Sequence, residues 1–131
     1  MTRESPQPSD AEWKILHALW RRGKATSREL LAELASEKWA YTTLKTMLSR
    51  MEDKGFVRSR AVGNAAQYEP LLARSQAQRS ALRTLIERVF EGASGPLLAH
   101  LAESEALSDA ERAELDQKLR ASEPRSKRRG R

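Results

Sequence analysis

Between Ser9 and Pro70 the spacing of apolar residues changes once, from steps of three and four to strict alternation. That change constrains the fold more than any other feature, because a helical period and a two-residue period bury different faces and cannot exchange places. Three helical segments come first. Ser9-Asp10-Ala11-Glu12 reads as a capping box, in which the Ser9 hydroxyl accepts from the third helical N–H while Glu12 reaches back. Trp13, Leu16 and Trp20, joined by Ile15 and Leu19, then make an apolar stripe that stops at Gly23. Thr26-Ser27-Arg28-Glu29 is a second box, followed by Leu30, Leu31 and Leu34. The stretch "KWAYTTLKTML" supplies the third helix. Leu44, Met47, Leu48 and Met51 fall on one face and Thr42, Lys45, Thr46 and Ser49 on the opposite one, and Lys54-Gly55 closes it.

The alternating part follows directly. "FVRSRAV" and "AAQYEPL" surround Gly63-Asn64 and predict a β-hairpin, with a turn longer than two residues. Three helices and then a hairpin, within about 70 residues, is the order of a winged helix-turn-helix.

From Leu72 the pattern is helical again, with Leu82, Leu85, Ile86, Val89 and Phe90 at i, i+3, i+4, i+7 and i+8. "EGASGP" interrupts it, Pro96 suits the first turn of a short helix with Leu97, Leu98 and Leu101, and Ser108-Asp109-Ala110-Glu111 opens a last helix bearing Leu115 and Leu119. The expected architecture is mainly α. Residues 1–72 form a winged-helix DNA-binding domain, 73–122 a helical dimerisation domain, and 123–131, "EPRSKRRGR", a disordered basic tail with nothing to bury.

A chain of 131 residues allows one ordinary domain, or a small domain with an oligomerisation segment. The leucine-rich helices after Leu72 are too short for a full core of their own, which favours burial against a twin chain. The residues expected at that interface are Leu82, Leu85, Ile86, Val89, Phe90, Leu97, Leu98, Leu101, Leu115 and Leu119. The formal net charge of +6 is unevenly spread: 13 Lys and Arg against 9 Asp and Glu in residues 1–75, 6 against 9 in 76–124, and 5 against none in 125–131. Basic ends around an acidic middle suggest a polyanionic partner, usually nucleic acid. The absence of cysteine excludes disulfides and thiolate metal sites. No apolar run reaches the length of a membrane span, and "MTRESPQPSD" lacks the apolar core of a secretory signal, so a cytoplasmic protein with no membrane partner is expected.

A helix that enters the major groove needs hydroxyl, amide or basic side chains near its N-terminus, because that end approaches the base edges. Thr42, Thr43 and Lys45 meet this need and are the expected base-reading residues. An ordinary solvated helix face would carry similar residues; the preceding helix and the following hairpin favour the groove. Arg58 and Arg60 on the hairpin, Asn64 near its tip, and Arg50 and Lys54 upstream suit phosphate contacts, although exposed strands are also often basic to prevent edge pairing. The tail cations suit either a non-specific DNA arm or a solubility segment.

Catalysis has little support. His17 and His100 stand alone in apolar helices and read as structural, Glu52-Asp53 reads as a solvating pair, and no phosphate loop or nucleophile motif is present. No catalytic residue, metal or cofactor is expected. The rival to a DNA-binding protein is a helical protein–protein adaptor without specific DNA binding.

Taken together, "SDAEWKILHALW", "AYTTLKTMLSRMEDKGFV" and "YEPL" resemble the penicillinase repressor (BlaI/MecI) family of bacterial transcription factors. The resemblance covers nearly the whole ordered chain. It implies an N-terminal winged helix, a C-terminal helical dimerisation domain, and repression by a homodimer on a double-stranded DNA operator with dyad symmetry. Carried onto this sequence, the base-reading helix falls on Tyr41 to Arg50, with Thr42, Thr43 and Lys45 facing the groove and Tyr41 and Thr46 close to the DNA backbone. Relatives often place Gly-Arg at the hairpin turn where this chain has Gly63-Asn64. Some are inactivated when a membrane-bound sensor protease triggers cleavage between Asn and Phe; the aligned pair here is His100-Leu101. Copper-responsive relatives use C-terminal cysteines, which this sequence lacks.

Overall fold

The computed structural model describes residues 7–104 and 107–130, apart from the side chains of residues 119 and 121–130. The first helix, α1 (Asp10–Arg22), starts on the expected box: Ser9 Oγ accepts from the Glu12 N–H at 3.2 Å and Glu12 Oε1 from the Ser9 N–H at 2.9 Å. It ends at Gly23, whose φ of +87° is open to glycine and strained for most other residues. A two-residue strand, β1 (Ala25–Thr26), leads into α2 (Ser27–Glu33), a 3₁₀ turn (Ala35–Glu37) and α3 (Tyr41–Lys54). The hairpin is β2 (Val57–Val62) and β3 (Ala65–Pro70).

Neither β1 nor the 3₁₀ turn is evident from periodicity. Strand β1 exists through its pairing with β3, Ala25 opposite Tyr68 and Thr26 opposite Gln67, which makes β3 the centre of an antiparallel sheet of order β1-β3-β2. Thr26 belongs to two elements, since its side chain also accepts from the Glu29 N–H as the N-cap of α2. Glu29 completes that box, and the Thr26 N–H it accepts holds its carboxyl below the usual carboxylate range.

The hairpin turn corrects the sequence expectation. Val62 pairs with Ala65, leaving only Gly63 and Asn64 in the turn. Alanines 61, 65 and 66 blur the alternation, yet pairing continues through them because Gly63, at φ +63°, suits the first position of a tight two-residue turn.

The helices and sheet meet over a single core. Ile15, Leu16 and Leu19 of α1 pack with Leu30 of α2, Leu44, Leu48 and Met51 of α3, and Phe56, Val57 and Tyr68 from the hairpin and its approach. Each large apolar side chain so buried contributes about 1.5–3 kcal/mol. Trp20 lies partly buried at the edge, its Nε1–H donating to the Leu72 carbonyl at 2.9 Å, with the Arg74 guanidinium 5.8 Å from its ring centroid. This is a winged helix-turn-helix.

By contacts the chain divides into residues 1–82 and 83–131. The division falls inside α4 (Arg74–Val89) rather than at Leu72, where the sequence changes character, because Ala77 and the start of that helix pack into the first unit. The second unit holds the end of α4, α5 (Ser94–Glu103) and α6 (Asp109–Gly130). Helix α6 opens on the third expected box, Ser108 with Glu111. Its helical backbone runs through Gly130, with Pro124 inside it. No residue of α5 is buried, and Leu82, Leu85 and Val89 of α4 are 47%, 41% and 62% exposed. Among the described residues no helix is long and apolar enough to cross a membrane.

Both histidines are exposed rather than enclosed by apolar neighbours. His17 lies between Trp13 and Trp20 on the outer side of α1, with ring centroids 5.8 and 5.4 Å away, and His100 lies 6.0 Å from Phe90.

Candidate nucleic-acid interface

Helix α3 starts without the punctuation that opens α1, α2 and α6. Its N-cap is Ala40, which makes no side-chain hydrogen bond, so no cap side chain takes up the N–H groups of the first turn. Because Leu44, Leu48 and Met51 anchor the opposite side in the core, the hydroxyl face is turned outward. Thr42, Thr43 and Thr46 are all exposed on it.

Lys45 is half-buried beside them. Its Nζ donates to the Tyr68 hydroxyl at 3.3 Å and lies 5.7 Å from that ring's centroid, so the central strand of the sheet steers the ammonium. Tyr41 is held from the other side: its hydroxyl shares a 3.1 Å hydrogen bond with Ser27 Oγ, and the Arg28 guanidinium sits 4.8 Å above its ring. The Ser27 bond lowers the Tyr41 pKa from its ordinary value, with Lys45 and Arg28 adding to the effect. Arg28 itself is exposed, a cation at the start of α2 that sits within the Thr26–Glu29 capping box and has no signal of its own in the sequence.

The expected phosphate contacts fall in different surroundings. Arg50 is exposed on α3, and Asn64 is exposed at the hairpin tip. Lys54 is committed elsewhere: its Nζ donates to both oxygens of the buried Glu12 carboxylate, at 2.9 and 3.2 Å. Arg58 closes on Glu69 through its Nε, and Arg60 reaches the same carboxylate at 3.5 Å. Glu52, expected merely to solvate its helix, accepts from the Ser59 N–H at 3.3 Å and from Ser59 Oγ at 2.9 Å, tying α3 to β2. The partners Glu12, Tyr68 and Glu69 escape a one-dimensional reading because each lies on a different element, distant in sequence from the group it holds.

Of the residues expected at a twin-chain interface, Leu82, Leu85 and Val89 are exposed. Ile86, Phe90, Leu97, Leu98, Leu101 and Leu115 are half-buried, and the Leu119 side chain lies outside the described residues. In the second unit, Leu98, Ala102, Leu107 and Leu115 line an open, largely apolar groove of about 620 Å³.

A family model described as "Penicillinase repressor" matches residues 8–121. The methicillin resistance regulatory protein MecI of Staphylococcus aureus (strain N315) is 27% identical over 116 residues, covering 88% of this chain and 94% of that protein. The penicillinase repressor of Bacillus licheniformis is 27% identical over 126 residues, covering 95% and 98%. The solved DNA-binding domain of the repressor BlaI superposes with a TM-score of 0.50 at 29% identity, over 57% of this chain and 93% of that domain. The family is one of transcriptional repressors rather than enzymes. With the match running through both the winged helix and the helices that follow it, the chain belongs to the penicillinase repressor family.

Proposed function

We propose that the protein is a cytoplasmic, sequence-specific transcriptional repressor that binds double-stranded DNA as a homodimer on an operator with dyad symmetry. The carrying observation is α3: an uncapped N-terminus with Thr42 and Thr43 exposed and Lys45 steered by Tyr68, on a helix whose other face is locked into the core. In this reading Thr42, Thr43 and Lys45 meet base edges in the major groove, and Tyr41, Thr46 and Arg50 meet the flanking backbone. Arg58, Arg60 and Asn64 approach phosphate from the hairpin. Lys54 serves the same surface indirectly, by holding the C-terminal end of α3 against α1.

Dimerisation is supported by the exposed leucines and valine of α4 and by the apolar groove of the second unit, which leave too little buried surface for that unit to stand alone. Two copies related by a two-fold axis present two α3 helices to two half-sites. The test is titration of the full chain against DNA from upstream of its own gene and against a scrambled duplex, across a salt series. Preference for the upstream duplex supports the reading. Equal, steeply salt-dependent binding to both leaves only a basic protein on DNA, and no binding to either favours the adaptor.

A further inference from the structure

The outer face of the sheet carries an arrangement that DNA binding alone does not call for. Arg58 stands directly opposite Glu69 across β2 and β3, and Arg60 stands opposite Gln67, so both arginines and Glu69 share one face. Glu69 lies on the central strand, and Lys24, immediately before β1, lines the same small cleft with Arg60, Gln67 and Glu69. Three cations therefore surround one carboxylate. The Arg58 hydrogen bond, followed by the charges of Arg58, Arg60 and Lys24, holds the Glu69 carboxyl below its usual range, so it is an anion at neutral pH. The arginine side chains are 54% and 61% exposed, whereas that of Glu69 is 26% exposed: the cations reach outward past the anion that neutralises them.

We infer that Glu69 occupies the seat of a DNA phosphate, masking Arg58 and Arg60 in the free protein and lowering its affinity for DNA of arbitrary sequence. Rigid placement on the central strand makes the carboxylate a permanent competitor. A phosphate engages these arginines only by exchanging one ion pair for another, which yields little net gain. On a preferred sequence the base contacts of α3 hold the duplex in place and the exchange follows. On arbitrary sequence nothing else supports it, so the arginines stay with Glu69. The residue thus sets the gap between specific and non-specific binding, an inference that rests on the DNA-binding reading above.

The experiment uses the full chain and two labelled duplexes, one of random sequence and one from upstream of its own gene, with anisotropy titrations across a salt series; the comparisons below are made on the random duplex. Four proteins are compared: wild type, Glu69→Gln, Arg58→Ala/Arg60→Ala, and the triple variant. Glu69→Gln is expected to bind roughly 3- to 10-fold tighter than wild type at low salt, with a log–log salt slope steeper by about one ion. In the double-arginine background the same substitution is expected to change little, because the gain runs through those two side chains. A Glu69→Gln protein with wild-type affinity and slope overturns the inference, as does an equal gain in the double-arginine background, which would reduce the effect to loss of a negative charge. If wild type and every variant fail to bind any duplex, the DNA-binding reading itself fails, an outcome distinct from either.

Discussion

The ammonium of Lys54 bonds both oxygens of the Glu12 carboxylate across 42 positions of sequence. Glu12 also accepts the Ser9 N–H that starts α1, so one acidic side chain opens one helix and fastens the end of another. Its side chain is 6% exposed and that of Lys54 36%. Removing the lysine leaves a buried anion with the Ser9 N–H alone. Lys54→Ala is expected to destabilise the winged helix by about 2–3 kcal/mol, less than for a fully buried pair because Lys54 keeps some water. Chemical denaturation of the single and Glu12→Gln/Lys54→Met variants checks this; the paired change should recover much of the loss, and a neutral Lys54→Ala would remove the bond's structural role.

On the DNA side, Thr43→Ala or Lys45→Ala is expected to cost about 1–3 kcal/mol on the preferred duplex and to relax sequence preference. Tyr68→Phe removes only the hydroxyl that orients Lys45, so it should weaken preference in the same direction by less. Competition titrations with single-base variants of the duplex provide the check. Unchanged preference in Lys45→Ala would rule out its base-reading role.

Leu85→Asp places a charge in the exposed apolar stripe of α4. The expected product is a folded monomer with much weaker operator binding. Light scattering coupled to size exclusion separates the outcomes, and a variant that stays dimeric places the interface elsewhere.

Acid should expose the capping box of α2. Because the Thr26 N–H depresses the Glu29 pKa in the fold, its stabilisation is fully present above the ordinary value of 4.5 and is lost as pH falls through the lower folded value. Glu29→Gln should therefore narrow its stability deficit relative to wild type in that acidic window. Denaturation midpoints of the two proteins from neutral pH downward measure it, and a deficit constant with pH would contradict the assignment.

Much of the fold can be read from the chain because its instructions are local. Ser9 with Glu12, Thr26 with Glu29 and Ser108 with Glu111 each specify a helix start within four residues, and the stripe through Leu44, Leu48 and Met51 fixes which side of α3 is outward. What escapes is set by pairing at a distance. Strand β1 is too short to have a period of its own, and the tight turn at Gly63-Asn64 hides among alanines. Lys54, Arg58 and Arg60 read as free cations until the fold delivers Glu12 and Glu69 to them. Sequence locates positive charge well and its neutralisation poorly.

Thr26 carries a further consequence. As the last residue of β1 and the N-cap of α2, it serves sheet and helix with a single backbone. A residue held in common cannot move for one owner and stay for the other. Any tilt of the hairpin is thereby passed to the origin of α2, whose Ser27 shares a hydrogen bond with the Tyr41 hydroxyl at the head of α3. The sheet and the helix proposed to meet base edges are thus joined through two adjacent residues, Thr26 by its backbone and cap and Ser27 by its hydroxyl.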